Sequence, residues 1–216
     1  MIKNIYFNII CLFIVVFGIC LYSEKIVNKY SYENGKHINK VVLPDIIQKN
    51  IKNVKNLDVI SDLFIGLIAF IFIITFVLNG NYKYIIFYIF IFIFMRFITF
   101  IYFVSTTLPD SSKTCKYGDD FFKTVMNMGT CNNLGISGHF INVVFQLGLF
   151  YRYYGSSYWL WYLIIYILSF MLICVSRNHY TIDCITSTFV ALFFIYEIDN
   201  FQKGLNYIIG KKYFNI

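Results

Sequence analysis

"SRNHYTIDC", residues 176–184, marks the point where a polar turn gives way to an apolar run that ends at Ile198. "GISGHF", residues 135–140, does the same before another apolar run. The chain has 216 residues and three histidines, and two of these, His139 and His179, lie in the two stretches. If the runs cross a bilayer, both imidazoles sit at span boundaries. The fold therefore turns on whether they cross.

Composition favours crossing. The chain is 59% hydrophobic and only 13% charged, with mean hydropathy +0.66. That balance belongs to a multi-span membrane protein rather than a soluble domain. The 25 phenylalanines and 19 tyrosines suit lipid-facing spans and interfacial belts. Two prolines leave the helix interiors largely unbroken. The net charge of +7 reads as lysines against anionic lipid headgroups. No polar segment carries a basic stripe interleaved with aromatics, so nucleic acid is not an expected partner.

Six apolar runs approach the length of a span: Ile5–Tyr22, Leu63–Leu78, Tyr84–Val104, Gly135–Tyr151, Tyr158–Val175 and Tyr180–Ile198. Each is expected to be helical, because lipid offers no partner for backbone polar groups. The expected fold is an all-α bundle of six transmembrane helices. The first run lacks a small-x-small cleavage pattern in "CLYSEK" and reads as a retained helix. Six spans put both termini on one face, with residues 23–62, 105–134 and 176–179 on the other. His139 and His179 then share one membrane surface. Charge leaves the orientation open. Seven lysines in residues 23–62, with Lys113, Lys116, Lys123 and Arg177, would put that face in the cytoplasm. Five acidic residues are interspersed among those seven lysines.

His179 and Asp183 are four apart, hence one turn apart on one helix face. A carboxylate there accepts the imidazole Nδ1–H and leaves Nε2 free to attack or take a proton. Equally, Asp183 in a first helical turn complements the helix dipole. Ser137 reads as an N-cap and Gly138 as loop freedom. The same pair also builds an anion site, with free N–H groups and a close backbone approach. A phosphate held there lies within reach of His139. Two histidines in opposed roles can carry phosphoryl transfer without a metal. The competing use of His/His/Asp is a metal site, with Asp119 and Asp120 near the same surface. No H-E-x-x-H or zinc-finger spacing occurs, so neither metal nor cofactor is expected. Arg96, near the middle of the third run, reads as an ion pair, a snorkelling cation or a substrate contact. Glu197, at the end of the last run, reads as facing interfacial water.

With these residues assembled, the chain resembles the sphingomyelin synthase family, a branch of the PAP2-like lipid phosphatase superfamily. Four stretches carry the likeness in order: "VVLPD" (41–45), "RFITFIYFVSTTLP" (96–109), "CNNLGISGH" (131–139) and "HYTIDC" (179–184). The likeness covers roughly residues 40–198. Asn132 and Asn133 stand where the family has Gly-Asp, and the phosphatase branch's Lys-x6-Arg-Pro motif is missing. The resemblance implies a PAP2-like helical bundle, with 1–62 as first helix and polar loop, 63–200 as phosphotransferase core and 201–216 as a short basic tail. It implies transfer of a phosphocholine or phosphoethanolamine headgroup from a glycerophospholipid to ceramide, releasing diacylglycerol. His179 is then the nucleophile, Asp183 orients it and His139 is the acid and base. Arg96, Ser137, Gly138 and Tyr180 are the expected substrate contacts. The implied partners are phospholipid, ceramide and the bilayer of an endomembrane, such as Golgi or ER, or of the plasma membrane. Two other readings stay open: hydrolysis of the headgroup by water through the same residues, and a non-enzymatic lipid-binding membrane protein.

The family pattern also has cysteines at places corresponding to Cys115 and Cys131, which implies a disulfide in an exoplasmic loop. Two free thiols are the alternative if that loop is cytosolic. Cys11, Cys20, Cys174 and Cys184 fall in apolar runs and read as small apolar fillers.

Overall fold

A carboxylate opens the short helix that precedes the long apolar ones. Asp45 accepts the backbone N–H groups of Ile47 and Gln48, both at 3.0 Å, and so caps α1 (Ile46–Asn50). The computed structural model describes residues 42–52, 54, 56–109 and 134–209, together with 29–35 and isolated positions between 14 and 26. Its further helices are α2 (Leu57–Leu78), α3 (Tyr82–Ser105), α4 (Gly138–Tyr154), α5 (Trp159–Val175), α6 (Thr181–Tyr196) and α7 (Ile198–Ile209). A short 3₁₀ turn, Ser156–Tyr158, joins α4 to α5. There is no strand among the described residues.

The chain forms two compact units. The first takes residues 1–43 and 96–135. Within it the Ser31 hydroxyl donates to the Phe103 carbonyl at 3.3 Å, so the C-terminal half of α3 is tied to the chain near residue 31. The second takes residues 44–95 and 136–216 and contains α1, α2 and α4 to α7.

The second unit is built around aromatic packing. Phe72 and Phe76 of α2 are fully buried and meet edge to face at 4.8 Å. Phe76 stacks on Tyr84 of α3 at 4.6 Å and meets Tyr153 of α4 edge-on at 5.1 Å. Such pairs add about 0.5–1.5 kcal/mol each beyond their buried area. The polar ends are paired as well. The Asn81 amide donates to the Tyr153 hydroxyl at 2.8 Å, and buried Gln146 donates to Tyr88 at 3.0 Å. The outer surface is apolar: Leu63, Phe70, Trp161 and Phe189 are exposed. An apolar exterior of this kind fits lipid surroundings.

Among the described residues, three helical segments are long and apolar enough to cross a bilayer: Leu57–Leu78, Tyr82–Ser105 and Ser156–Val175. A fourth is added if α6 and the next helix, bent by 56°, cross as one. The protein is thus a helical integral membrane protein. The described residues supply three or four segments able to cross, where the sequence predicts six. The expected first span, Ile5–Tyr22, falls largely outside the described residues. The expected span Gly135–Tyr151 is the 17-residue α4, nine of whose residues are buried. It is the central helix of its unit rather than a lipid-facing one. Residues 201–209, expected as the start of a tail, continue α7. Its apolar side, with Ile198 and Leu205, is buried, while Asp199, Lys203 and Tyr207 face outward.

Candidate active site

His179 closes the turn between α5 and α6, and Asp183 lies in the first turn of α6. Asp183 Oδ2 stands 3.2 Å from His179 Nδ1 and accepts the Tyr180 backbone N–H at 3.1 Å. Asp183 is fully buried and His179 almost so. One carboxylate thus caps the helix and orients the imidazole. An anion at a helix N-terminus is favoured by the helix dipole. The ring's Nε2 is the nitrogen that this pairing leaves for other chemistry.

The turn that presents His179 is unusual. Arg177 has φ +62°, the left-handed region that L-residues seldom occupy. The Ser176 hydroxyl donates to the Ile173 carbonyl at 3.0 Å and closes the end of α5. Contacts from α1 hold the rest of the turn. Gln48 Nε2 donates to the His179 carbonyl at 3.0 Å, and Arg177 Nη2 donates to the Gln48 carbonyl at 3.2 Å. Asp45 Oδ2 accepts the Thr181 N–H at 2.7 Å, and its Oδ1 accepts the Thr181 hydroxyl at 2.8 Å. Burial acts to raise the Asp45 pKa. The hydrogen bonds from Gln48, Thr181 and Ile47 outweigh it and hold the carboxyl below its ordinary 3.8.

His139 is the second residue of α4 and is half-buried. Ser137 caps that helix, its hydroxyl accepting the Phe140 N–H at 3.2 Å. The Ser137 N–H donates to the Ser187 hydroxyl at 2.7 Å, and that hydroxyl in turn lies 2.7 Å from the Asp183 carbonyl oxygen. Ser187 therefore ties the start of α4 to the helix turn that carries Asp183. Further along, a Cβ on Gly148 of α4 would overlap the Ile195 side chain of α6. The two contacts occur in the same chain order, so α4 and α6 run parallel. His139 and His179 stand at the same end of the pair.

The other expected site residues are placed as follows. Ser137, Gly138 and Tyr180 are buried at the two helix starts. The backbone N–H and hydroxyl of Ser137 are both engaged within the fold. Arg96 is half-buried near the middle of α3 and belongs to the other compact unit. Cys115, Cys131, Asp119 and Asp120 lie outside the described residues. Cys174 and Cys184 are buried free thiols with sulfurs 3.8 Å apart, across the α5–α6 contact. Glu197 is the C-cap of α6 and accepts from the Asn200 amide at 2.6 Å. A cavity of about 300 Å³ lies at that end of α6, between Phe90, Phe94, Phe193 and Phe201. It shares no residue with the histidine site.

Several participants carry no distinct sequence signal for their task. Asp45 belongs to a quoted motif but its two-helix role depends on distant packing. Ser187 is the middle of three consecutive hydroxyl residues, Thr186 to Thr188, inside an apolar run, and nothing in the sequence singles it out. Asp62, in the second turn of α2, interacts electrostatically with His179. An ionisable residue inside a spanning helix is itself a signal of function.

The fold and site define a helical integral membrane protein with an ordered His–Asp pair at a helix start. Residues 130–199 match the family model described as PAP2 superfamily C-terminal. The match takes in all of α4, α5 and α6, hence both histidines and Asp183. It supports a PAP2-like lipid phosphatase or phosphotransferase function, the chemistry general to that superfamily. Comparisons with curated proteins and with solved structures give no match.

Proposed function

We propose that this protein is a multi-pass headgroup transferase of the sphingomyelin synthase type, acting in an endomembrane or the plasma membrane. A phosphocholine or phosphoethanolamine headgroup moves from a glycerophospholipid to ceramide. His179 Nε2 attacks phosphorus while the bond to the diacylglycerol oxygen breaks. His139, as imidazolium, protonates that oxygen, and diacylglycerol leaves. The headgroup remains on His179 as a phosphohistidine. Neutral His139 then takes the proton of the ceramide hydroxyl, whose oxygen attacks phosphorus and frees His179. Asp183 holds Nδ1–H throughout and stabilises the charge on the ring. Backbone N–H groups at the start of α4, beside Gly138, support the anionic oxygens. Tyr180 is a further proposed substrate contact, Arg96 is a proposed lipid contact of its own unit, and Cys115 with Cys131 form the proposed disulfide.

The carrying observation is the 3.2 Å pairing of His179 Nδ1 with Asp183. It holds one ring nitrogen on a carboxylate, which supports the other as the nucleophile. The four ordered motifs support transfer over hydrolysis.

The test uses purified protein in vesicles of choline phospholipid labelled in its headgroup, with and without ceramide. The expected product is labelled sphingolipid, formed only when ceramide is present and lost in His139→Ala and His179→Ala. Free phosphocholine in equal amounts with or without ceramide would assign the site to hydrolysis. No labelled product in long incubation would remove the enzymatic reading.

A further inference from the structure

His179 lies in a turn, outside any helix, and its ring orientation is only as good as its backbone. Asp183 fixes the ring but does not fix the turn. The residues that do so come from α1, more than 120 positions earlier in the chain.

The pattern is regular. Arg177, His179 and Thr181 are alternate residues, and each is gripped from the α1 side. Arg177 Nη2 donates to the Gln48 carbonyl at 3.2 Å. The His179 carbonyl accepts from Gln48 Nε2 at 3.0 Å. Thr181 donates both its N–H and its hydroxyl to Asp45, at 2.7 and 2.8 Å. The same Asp45 carboxylate accepts the Ile47 and Gln48 N–H groups, each at 3.0 Å. One side chain therefore sets the start of the helix that carries Gln48 and the start of the helix that carries Asp183. Pro44, immediately before it, fixes its own φ and lacks an N–H, which limits the freedom of the segment entering α1.

Two local costs are accepted at this turn. Arg177 occupies left-handed backbone, and the buried Gln48 Oε1 has no hydrogen-bond partner among the described residues while its Nε2 serves His179. Costs of this kind persist where surrounding structure imposes them, and they collect at functional sites.

From this geometry we infer that Asp45 is a positioning residue for the reaction at His179, acting through Gln48 and Thr181 rather than on the lipid. The inference rests on the proposed function for its chemistry, but its geometry stands apart from it. The Asp45 carboxylate keeps the imidazole aligned on phosphorus in both displacements. A misplacement of about 1 Å at a reacting centre can lower a rate on the order of 100-fold.

The test compares wild type with Asp45→Asn, Thr181→Val and Thr181→Ser in vesicles, with rates normalised to folded protein. Asp45→Asn replaces one acceptor oxygen by a donor. It should lower kcat on the order of 100-fold with little change in KM. Thr181→Val should lose about tenfold, the effect of one hydrogen bond, and Thr181→Ser should recover most of that. A second readout needs no turnover: the rate at which diethyl pyrocarbonate modifies His179, followed by peptide mass. Loosening the turn should raise it in Asp45→Asn and Thr181→Val. Wild-type kcat and wild-type modification rate in folded Asp45→Asn would overturn the inference. If Asp45→Asn does not fold, equal behaviour of the two Thr181 variants overturns it instead. If wild type transfers no headgroup, the proposed function fails while the modification rates still decide the positioning role.

Discussion

Ser187 of α6 accepts the Ser137 N–H at 2.7 Å and stands 2.7 Å from the carbonyl oxygen of Asp183. A single hydroxyl therefore joins the α4 cap beside His139 to the helix turn that orients His179. Ser187→Ala leaves a buried N–H without an acceptor. It should destabilise the folded protein by about 1–3 kcal/mol. Thermal unfolding in detergent checks this, and an unchanged midpoint would show that the tie is dispensable.

Asp183→Asn should keep the fold and lose the rate. One oxygen, Oδ2, serves both Nδ1 and the Tyr180 N–H, so an amide that keeps its oxygen there loses the charge that stabilises the ring cation, and the opposite rotamer sets NH₂ against both groups. In the serine-protease triad the same replacement lowers kcat by about 10⁴-fold, so a fall on the order of 10³–10⁴ in kcat is expected here. Activity assay of the folded variant decides it.

His139→Ala should lose about 10²–10⁴ of the rate on a natural phospholipid, the usual range for a general acid or base. An analogue whose leaving group is p-nitrophenolate needs no proton. With it, the first displacement should recover in His139→Ala and remain absent in His179→Ala. Equal recovery in both variants would contradict their division of labour.

The Asp45 carboxyl lies below its ordinary 3.8 in the folded protein. Its stabilisation is then complete above the unfolded value and is lost as pH falls through the folded one. The gap in thermal midpoint between wild type and Asp45→Asn should be constant from neutral pH to about pH 5 and should close on further acidification. A gap that instead closes on going alkaline would have the wrong sign.

Gly148 lets α4 and α6 approach closely, since any Cβ there would overlap Ile195. Gly148→Leu should therefore separate the two helices and lower both stability and activity. An unfolding midpoint equal to wild type would show that the contact is soft.

The site was legible in the sequence where its geometry is local. His179 and Asp183 face each other because a helix turn brings i and i+4 together, and Ser137 caps α4 because a serine before an apolar run does so. Parallel α4 and α6 follow from the alternation of polar turns and apolar runs. The Asp45–Thr181 pair was not legible, because it joins residues 136 positions apart and depends on how α1 packs. The left-handed Arg177 had no glycine or asparagine to announce it. The burial of α4 was not legible, because an apolar run reads the same whether it faces protein or lipid, and neither was the helix over 198–209, whose apolar stripe is interrupted by Asp199, Asn200 and Lys203.

The most direct measurement is the residue that carries the headgroup during turnover. Protein mixed with headgroup-labelled choline phospholipid, without ceramide, is quenched at alkaline pH and its peptides are weighed. A phosphocholine adduct on His179 is expected, discharged by added ceramide and absent in His179→Ala. An adduct on another residue, or sustained transfer with none on His179, would contradict the assignment of that imidazole as nucleophile.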